Sequence, residues 1–182
     1  NLPIHCLQTI QDLFSVVSQF SAVLISPQGE LITEISNPCR FCQLFCDNLS
    51  SSAACHASQM DFAQQAKSGA QRFTCHAGLN YVGTYVLLGK EPIGLFLVGG
   101  YMLDSNKQEK TEVLLNQYAA KYTIPTQQLK TAFDQVTILP ADLEDKLETW
   151  ATVTAKAFQS ILQERSGFAL RLKKIADLTQ IP

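Results

Sequence analysis

The sequence predicts an α+β fold: an antiparallel sheet of about five strands, flanking helices and a long C-terminal helix. Three observations lead there. Short runs of β-branched and aromatic residues, bounded by glycine, proline or polar clusters, recur at residues 22–26, 31–35, 72–76, 81–88 and 93–98. Before and between them, apolar residues return at helical spacing. After Pro140 one amphipathic pattern persists almost to the end of the chain.

Taken in order, Ile10, Phe14, Val17 and Phe20, with Leu13 alongside, make a helical stripe. Residues 22–26 read as a strand, residues 27–30 as a tight turn in which Gly29 supplies a positive φ, and residues 31–35 as the returning strand of a hairpin. Asn37 and Pro38 mark a helix start, with Asn as cap and Pro in the first turn. A helix from Pro38 stacks Cys39, Cys42 and Cys46 on one face. Residues 50–52, all serine, end it and cap the next helix. That helix carries Cys55 in its first turn and runs through Met60, Phe62 and Ala66 to a stop at Gly69. Residues 72–76 predict a strand, with a break at Ala77 and Gly78. Residues 81–88 and 93–98 predict an antiparallel pair that ends at Gly99 and Gly100.

The last third is helical. One helix is expected from Thr111 to Tyr122, and Pro125 opens a shorter one through Leu129 and Phe133. Leu143, Leu147, Trp150, Thr154, Ala157 and Ile161 then keep a spacing near 3.5, the seam of a coiled coil. The chain divides here. Residues 1–139 read as one domain, and residues 140–182 as an amphipathic helix that packs on it and then leads to an output domain.

Composition removes several classes. The chain has 182 residues and is 46% hydrophobic, enough for a packed core and against disorder. A net charge of −2 with no basic cluster argues against nucleic-acid binding. No apolar run reaches the roughly 20 residues that span a bilayer. No P-loop, no serine–histidine–acid set and no paired general acid/base carboxylates are visible, so no catalysis is expected.

The dense feature is sulfur. Five of the six cysteines and two of the three histidines lie between residues 37 and 76. Such crowding suits soft-metal ligands in a reducing cytoplasm better than a disulfide framework, which a core of this size does not need. The candidate cofactor ligands are Cys39, Cys42, Cys46, Cys55 and Cys75, with Cys39, Cys42, Cys55 and Cys75 as the leading metal set. In a strand, Cys75 and His76 would point to opposite sides. Setting His76 aside leaves thiolates only, which favours an iron–sulfur cluster over zinc. His76 and Gly78, with Asn80, are the candidate ligand-pocket residues, the glycine letting backbone approach a ligand. The competing readings are buried apolar cysteines, and a redox enzyme with Cys75 as attacking thiol tuned by His76. His56 reads as a surface residue.

These residues resemble the PocR sensory domain. The elements that carry the likeness are the Ser26-Pro27-Gln28-Gly29-Glu30 turn, Phe41-Cys42, Cys55, Cys75-His76-Ala77-Gly78-Leu79, and the strand from Ile93 into Gly99-Gly100. The resemblance implies a PAS-like sensor of the kind found in bacterial histidine kinases, transcription regulators and diguanylate-cyclase proteins, with simple diols and related hydrocarbon derivatives as proposed ligands. It places Cys42, Cys55, Cys75 and His76 at characteristic positions. Two departures stand out: Asn80 where an acidic residue is usual, and Gly83-Thr84-Tyr85 in place of a proline-containing strand. Cys39 and Cys46 look like additions that fill out a ligand set, which points to a metal or cluster. The expectation is therefore a cytoplasmic sensory module of a signal-transduction protein such as a two-component system. It holds an iron–sulfur cluster or zinc, forms a homodimer through its C-terminal helix, and carries an attached output domain. A small-molecule sensor with structural zinc is the alternative.

Overall fold

The computed structural model describes residues 2–104 and 112–179, so the expected helix start at Thr111 and the last three residues of the chain lie outside the described residues. The elements are α1 (Ile4–Ser18), β1 (Ser21–Ile25), α2 (Arg40–Cys46), α3 (Leu49–Gln65), β2 (Gln71–Thr74), β3 (Asn80–Leu88), β4 (Glu91–Leu103), α4 (Glu112–Tyr122), α5 (Thr126–Asp134), β5 (Thr137–Leu139) and α6 (Ala141–Thr179). The sheet has five strands: four run antiparallel in the order β1-β4-β3-β2, and β5 joins β4 in parallel at Tyr101–Leu103.

Both faces of the sheet are covered, which explains why β1 reads as an unbroken apolar run. Alternate residues part to opposite sides. Ala22, Leu24, Val82, Val86, Phe96 and Val98 pack with α1 and α6. Val23, Ile25, Leu95 and Leu97 pack with Phe62 and Ala63 of α3. On the α6 side the buried positions are Leu147, Ala151, Ala155, Phe158 and Leu162, and the Phe158 ring meets Phe96 edge-on at 5.1 Å. A third apolar cluster gathers Phe41 and Phe45 of α2, Ala77 and Leu79, Met102, and the inner faces of α4 and α5.

Several expectations need correction. Residues 31–36 form no strand; they meet β1 through isolated bridges, Ile25 to Leu31 and Ala22 to Ser36, and through the Ile32 and Thr33 N–H groups, which both donate to the Leu24 carbonyl. Side chains take over the missing ladder bonds. Buried Gln11 donates to the carbonyls of Ala22 and Glu34, and the Leu24 N–H donates to Thr33 Oγ1. The fifth strand is β5 instead. The turn before this segment is as expected: Gly29 has φ +84°, and a Cβ there would meet the Met60 backbone at 2.7 Å.

The helix starts also move. Asn37 sits at φ +47° outside α2, and Cys39 is the N-cap. Asn48 caps α3, so residues 50–52 lie inside its first turn and Cys55 in its second. β2 stops at Thr74, which puts Cys75 and His76 in a turn and not in a strand. β4 runs on through Gly99 and Gly100 to Leu103. In α1, Leu13 and Val17 face outward while Gln11 is buried, and in α6 Trp150 is about half exposed.

Candidate functional site

The site forms where α2, α3 and the turn after β2 meet. The α2–α3 elbow is fixed by Asn48, whose Oδ1 accepts from the Ser50 N–H and whose Nδ2 donates to the Tyr122 carbonyl at 3.0 Å. Cys42 and Cys46 are four residues apart on α2 and so share a face, and Cys55 approaches from α3. The third side is a tight turn. The Cys75 N–H donates to the Leu79 carbonyl and the Gly78 N–H to the Cys75 carbonyl, with Gly78 at φ +77°. That reversal breaks strand alternation, so Cys75 and His76 line the same cavity.

The cavity is about 50 Å³ and is lined by Cys42, Cys46, Cys55, Cys75, His76 and Tyr81, among apolar residues that include Phe62 and Leu97. Its polar groups touch one after another. Cys42 Sγ lies 3.7 Å from both the Tyr81 hydroxyl and Cys46 Sγ, Cys46 Sγ lies 3.5 Å from Cys55 Sγ, and Cys55 Sγ lies 3.2 Å from His76 Nε2. A tetrahedral centre with metal–sulfur bonds near 2.3 Å separates its sulfurs by about 3.8 Å. The two sulfur–sulfur contacts, Cys42 to Cys46 and Cys46 to Cys55, match that scale. Among the described residues, however, no group of three or more His, Cys, Asp or Glu is arranged to hold a metal ion as it stands.

His76 is held at every point except one. Its N–H donates to Ser58 Oγ, its carbonyl accepts from the Tyr118 hydroxyl, and its ring meets Phe45 and Tyr122 edge-on. Nδ1 is buried without a hydrogen-bond partner. Burial, aided by the Lys121 charge, lowers the imidazole pKa and favours the neutral ring. Three of the cysteines, Cys39, Cys42 and Cys46, are raised well above the ordinary thiol range. Contact with Cys46, then burial, drives Cys42 strongly upward. Contact with Cys42 lowers Cys46, but contact with Cys55 and burial outweigh it and leave that thiol at about 12. Burial puts Cys39 at about 11.

The remaining expected site residues lie apart from the cavity. Cys39 Sγ accepts from the Cys42 N–H as the α2 cap. Gly78 shapes the turn. Asn80 is buried beside β2, where its Oδ1 accepts from Thr74 Oγ1 and its Nδ2 has no partner. His56 is at the surface, 3.8 Å from Glu30. Ser58, Tyr81, Tyr118 and Tyr122 were not expected at the site. Ser58 alone left a trace in the sequence, one turn after Cys55.

Residues 2–165 match the family described as the sensory domain found in PocR. The chain belongs to this family. No curated protein and no solved structure matches it. As a PocR sensory domain it is a sensor module of a signalling protein. Cys42, Cys55, Cys75 and His76 come from three separate segments and line one cavity. The match ends at residue 165, just beyond Leu162, where α6 makes its last buried contact among the described residues. Among those residues no helix is long and apolar enough to cross a membrane.

A second apolar feature lies on the opposite face of the sheet. Ile10, Leu13, Phe14 and Val17 of α1 and Trp150, Val153 and Ala157 of α6 border an open groove of about 470 Å³. Leu13, Val17 and Val153 are each more than 60% exposed, so this face is apolar without being buried.

Proposed function

We propose that this PocR sensory domain reads its signal in the thiol and imidazole pocket, and that the occupant is a soft metal ion taken by Cys42, Cys46, Cys55 and His76. One observation carries the reading: the unbroken run of contacts from Cys42 through Cys46 and Cys55 to His76 Nε2. Sulfur and imidazole nitrogen at these separations are the donor types that copper(I), zinc and similar ions select. The donors meet in pairs, so binding draws them together and displaces thiol protons. The neutral imidazole is already in the form a metal takes. An iron–sulfur cluster is the second reading, favoured by Cys75 as a fourth thiol on the same cavity.

The domain has no catalysis of its own in this reading and resides in a reducing cytoplasm. Its output path starts at Arg72 on β2, three residues before Cys75. The Arg72 guanidinium pairs with Glu144 at 3.0 Å, Asp145 at 2.7 Å and Glu148 at 2.5 Å, all in the first turns of α6. Buried Glu144 also accepts from the Tyr101 hydroxyl at 2.7 Å. A shift of the 75–79 turn on metal binding therefore pulls on α6, which passes the change to an attached output domain. The partner is a second copy of the domain. The apolar positions of α6 recur at a self-pairing period, and the face bearing Trp150 and Val153 is open to solvent.

The test is metal and sulfide analysis of protein purified without oxygen, beside a Cys46→Ser, Cys55→Ser variant. About one soft metal per chain, absent from the variant, supports the reading. Iron with matching sulfide selects the cluster. Metal-free protein that also takes up no added zinc, copper(I) or iron overturns both.

A further inference from the structure

We propose that Cys46 and Cys55 form a reversible disulfide under a hydroperoxide oxidant, and that this bond closes the pocket to metal. The disulfide needs no metal; only its effect on binding rests on the proposed function. Cys46 is the last residue of α2 and Cys55 lies in the second turn of α3, joined by a short elbow. Their sulfurs, 3.5 Å apart, are closer than those of Cys42 and Cys46 at 3.7 Å. A disulfide has an S–S length near 2.05 Å, so about 1.5 Å of closure suffices. Both residues are only partly buried.

The chemistry balances on groups already in contact. Cys55 Sγ, with His76 Nε2 at 3.2 Å to accept its proton, attacks the terminal oxygen of the hydroperoxide. The O–O bond breaks, the leaving alkoxide takes the proton from the imidazole, and Cys55 becomes a sulfenic acid. Cys46 Sγ, whose S–H already points at Cys55, then attacks that sulfur. The S–O bond breaks and hydroxide leaves with the Cys46 proton as water. Two thiols are oxidised by two electrons, and one hydroperoxide is reduced to an alcohol and water. The bond ties up two of the four proposed donors.

Cys6 is exposed on α1, so Cys6→Ser removes the thiol most open to side reactions and leaves five of the six cysteines. Reduced, metal-stripped Cys6→Ser protein is treated with cumene hydroperoxide, alkylated, digested and mapped by mass spectrometry. The expected result is a loss of two alkylatable thiols, a Cys46–Cys55 linked peptide and full reversal by dithiothreitol. With Cys46→Ser added, no linked peptide forms and dimedone captures Cys55 as the sulfenic acid. Cadmium uptake is measured in parallel and should be lost on oxidation. If the reduced protein binds no cadmium yet forms the linked peptide, the disulfide stands and the metal reading fails. A Cys42–Cys46 link, or five thiols surviving a tenfold excess of hydroperoxide, overturns the disulfide.

Discussion

Cys55 Sγ and His76 Nε2 are 3.2 Å apart, and this contact joins α3 to the turn that follows β2. It also brings a nitrogen donor into a set that the sequence presents as thiols only. Replacing His76 by Gln keeps a polar group of similar reach but a poor soft-metal donor. Cadmium or zinc affinity of the reduced protein should fall at least tenfold, about 1.4 kcal/mol, in a competition titration. The thermal midpoint should change little, because Tyr118 and Ser58 still hold the backbone of residue 76.

Arg72 makes a separate claim on the path to α6. Arg72→Met keeps the aliphatic stem but leaves buried Glu144 with the Tyr101 hydroxyl as its hydrogen-bond partner among the described residues. Urea unfolding should show a loss of about 1–3 kcal/mol, the scale of leaving a buried polar group short of a partner. Hydrogen exchange should rise in the first turns of α6 and in residues 71–79, with little change in β1. Glu144→Gln added to Arg72→Met should recover part of the loss.

The buried thiols set an alkaline limit. Burial raises Cys39 from 9.0 to about 11, and contact with Cys55 together with burial leaves Cys46 at about 12 despite the opposing pull of Cys42. The unfolded chain therefore ionises first as pH rises. Stability these thiols contribute is complete below about pH 9 and is lost progressively toward pH 11–12. Urea midpoints of the reduced, metal-free protein should fall across that window. The fall should be smaller in Cys46→Ala, whereas an identical profile would remove the thiols as its cause. The comparison is needed because Tyr81 and Tyr118 are also raised by burial.

The open groove between α1 and α6 predicts self-association. Val153→Glu puts a charge on an exposed position and should leave the fold intact. Light scattering should show wild-type dimers at micromolar concentration and monomers for the variant. A wild-type monomer would leave the groove without the proposed occupant.

How much of this was legible in the sequence follows from where local rules prevail. The α+β class, β3, α5 and the long C-terminal helix follow from periodicity and from punctuation by Gly and Pro. The Leu31–Ile35 strand failed because Gln11 and Thr33 captured the backbone groups a ladder would use, a long-range contact that spacing cannot reveal. β5 was missed because three residues next to a proline carry little pattern of their own. At the site, the cysteines of α2 were legible from their four-residue interval. His76 was misplaced by extending β2 two residues too far, since strand alternation holds only up to Thr74. Tyr81, Tyr118 and Tyr122 reach the pocket from β3 and α4, and only the tertiary fold brings them there.

The most direct measurement is an anaerobic cadmium titration of the reduced protein, followed by thiolate-to-metal charge-transfer absorption and repeated on Cys46→Ser, Cys55→Ser. The account predicts a band that saturates at about one equivalent in the wild type and is absent from the variant, with both proteins folded by circular dichroism. No band in the wild type, or an undiminished band in the variant, would contradict a metal held by Cys42, Cys46, Cys55 and His76.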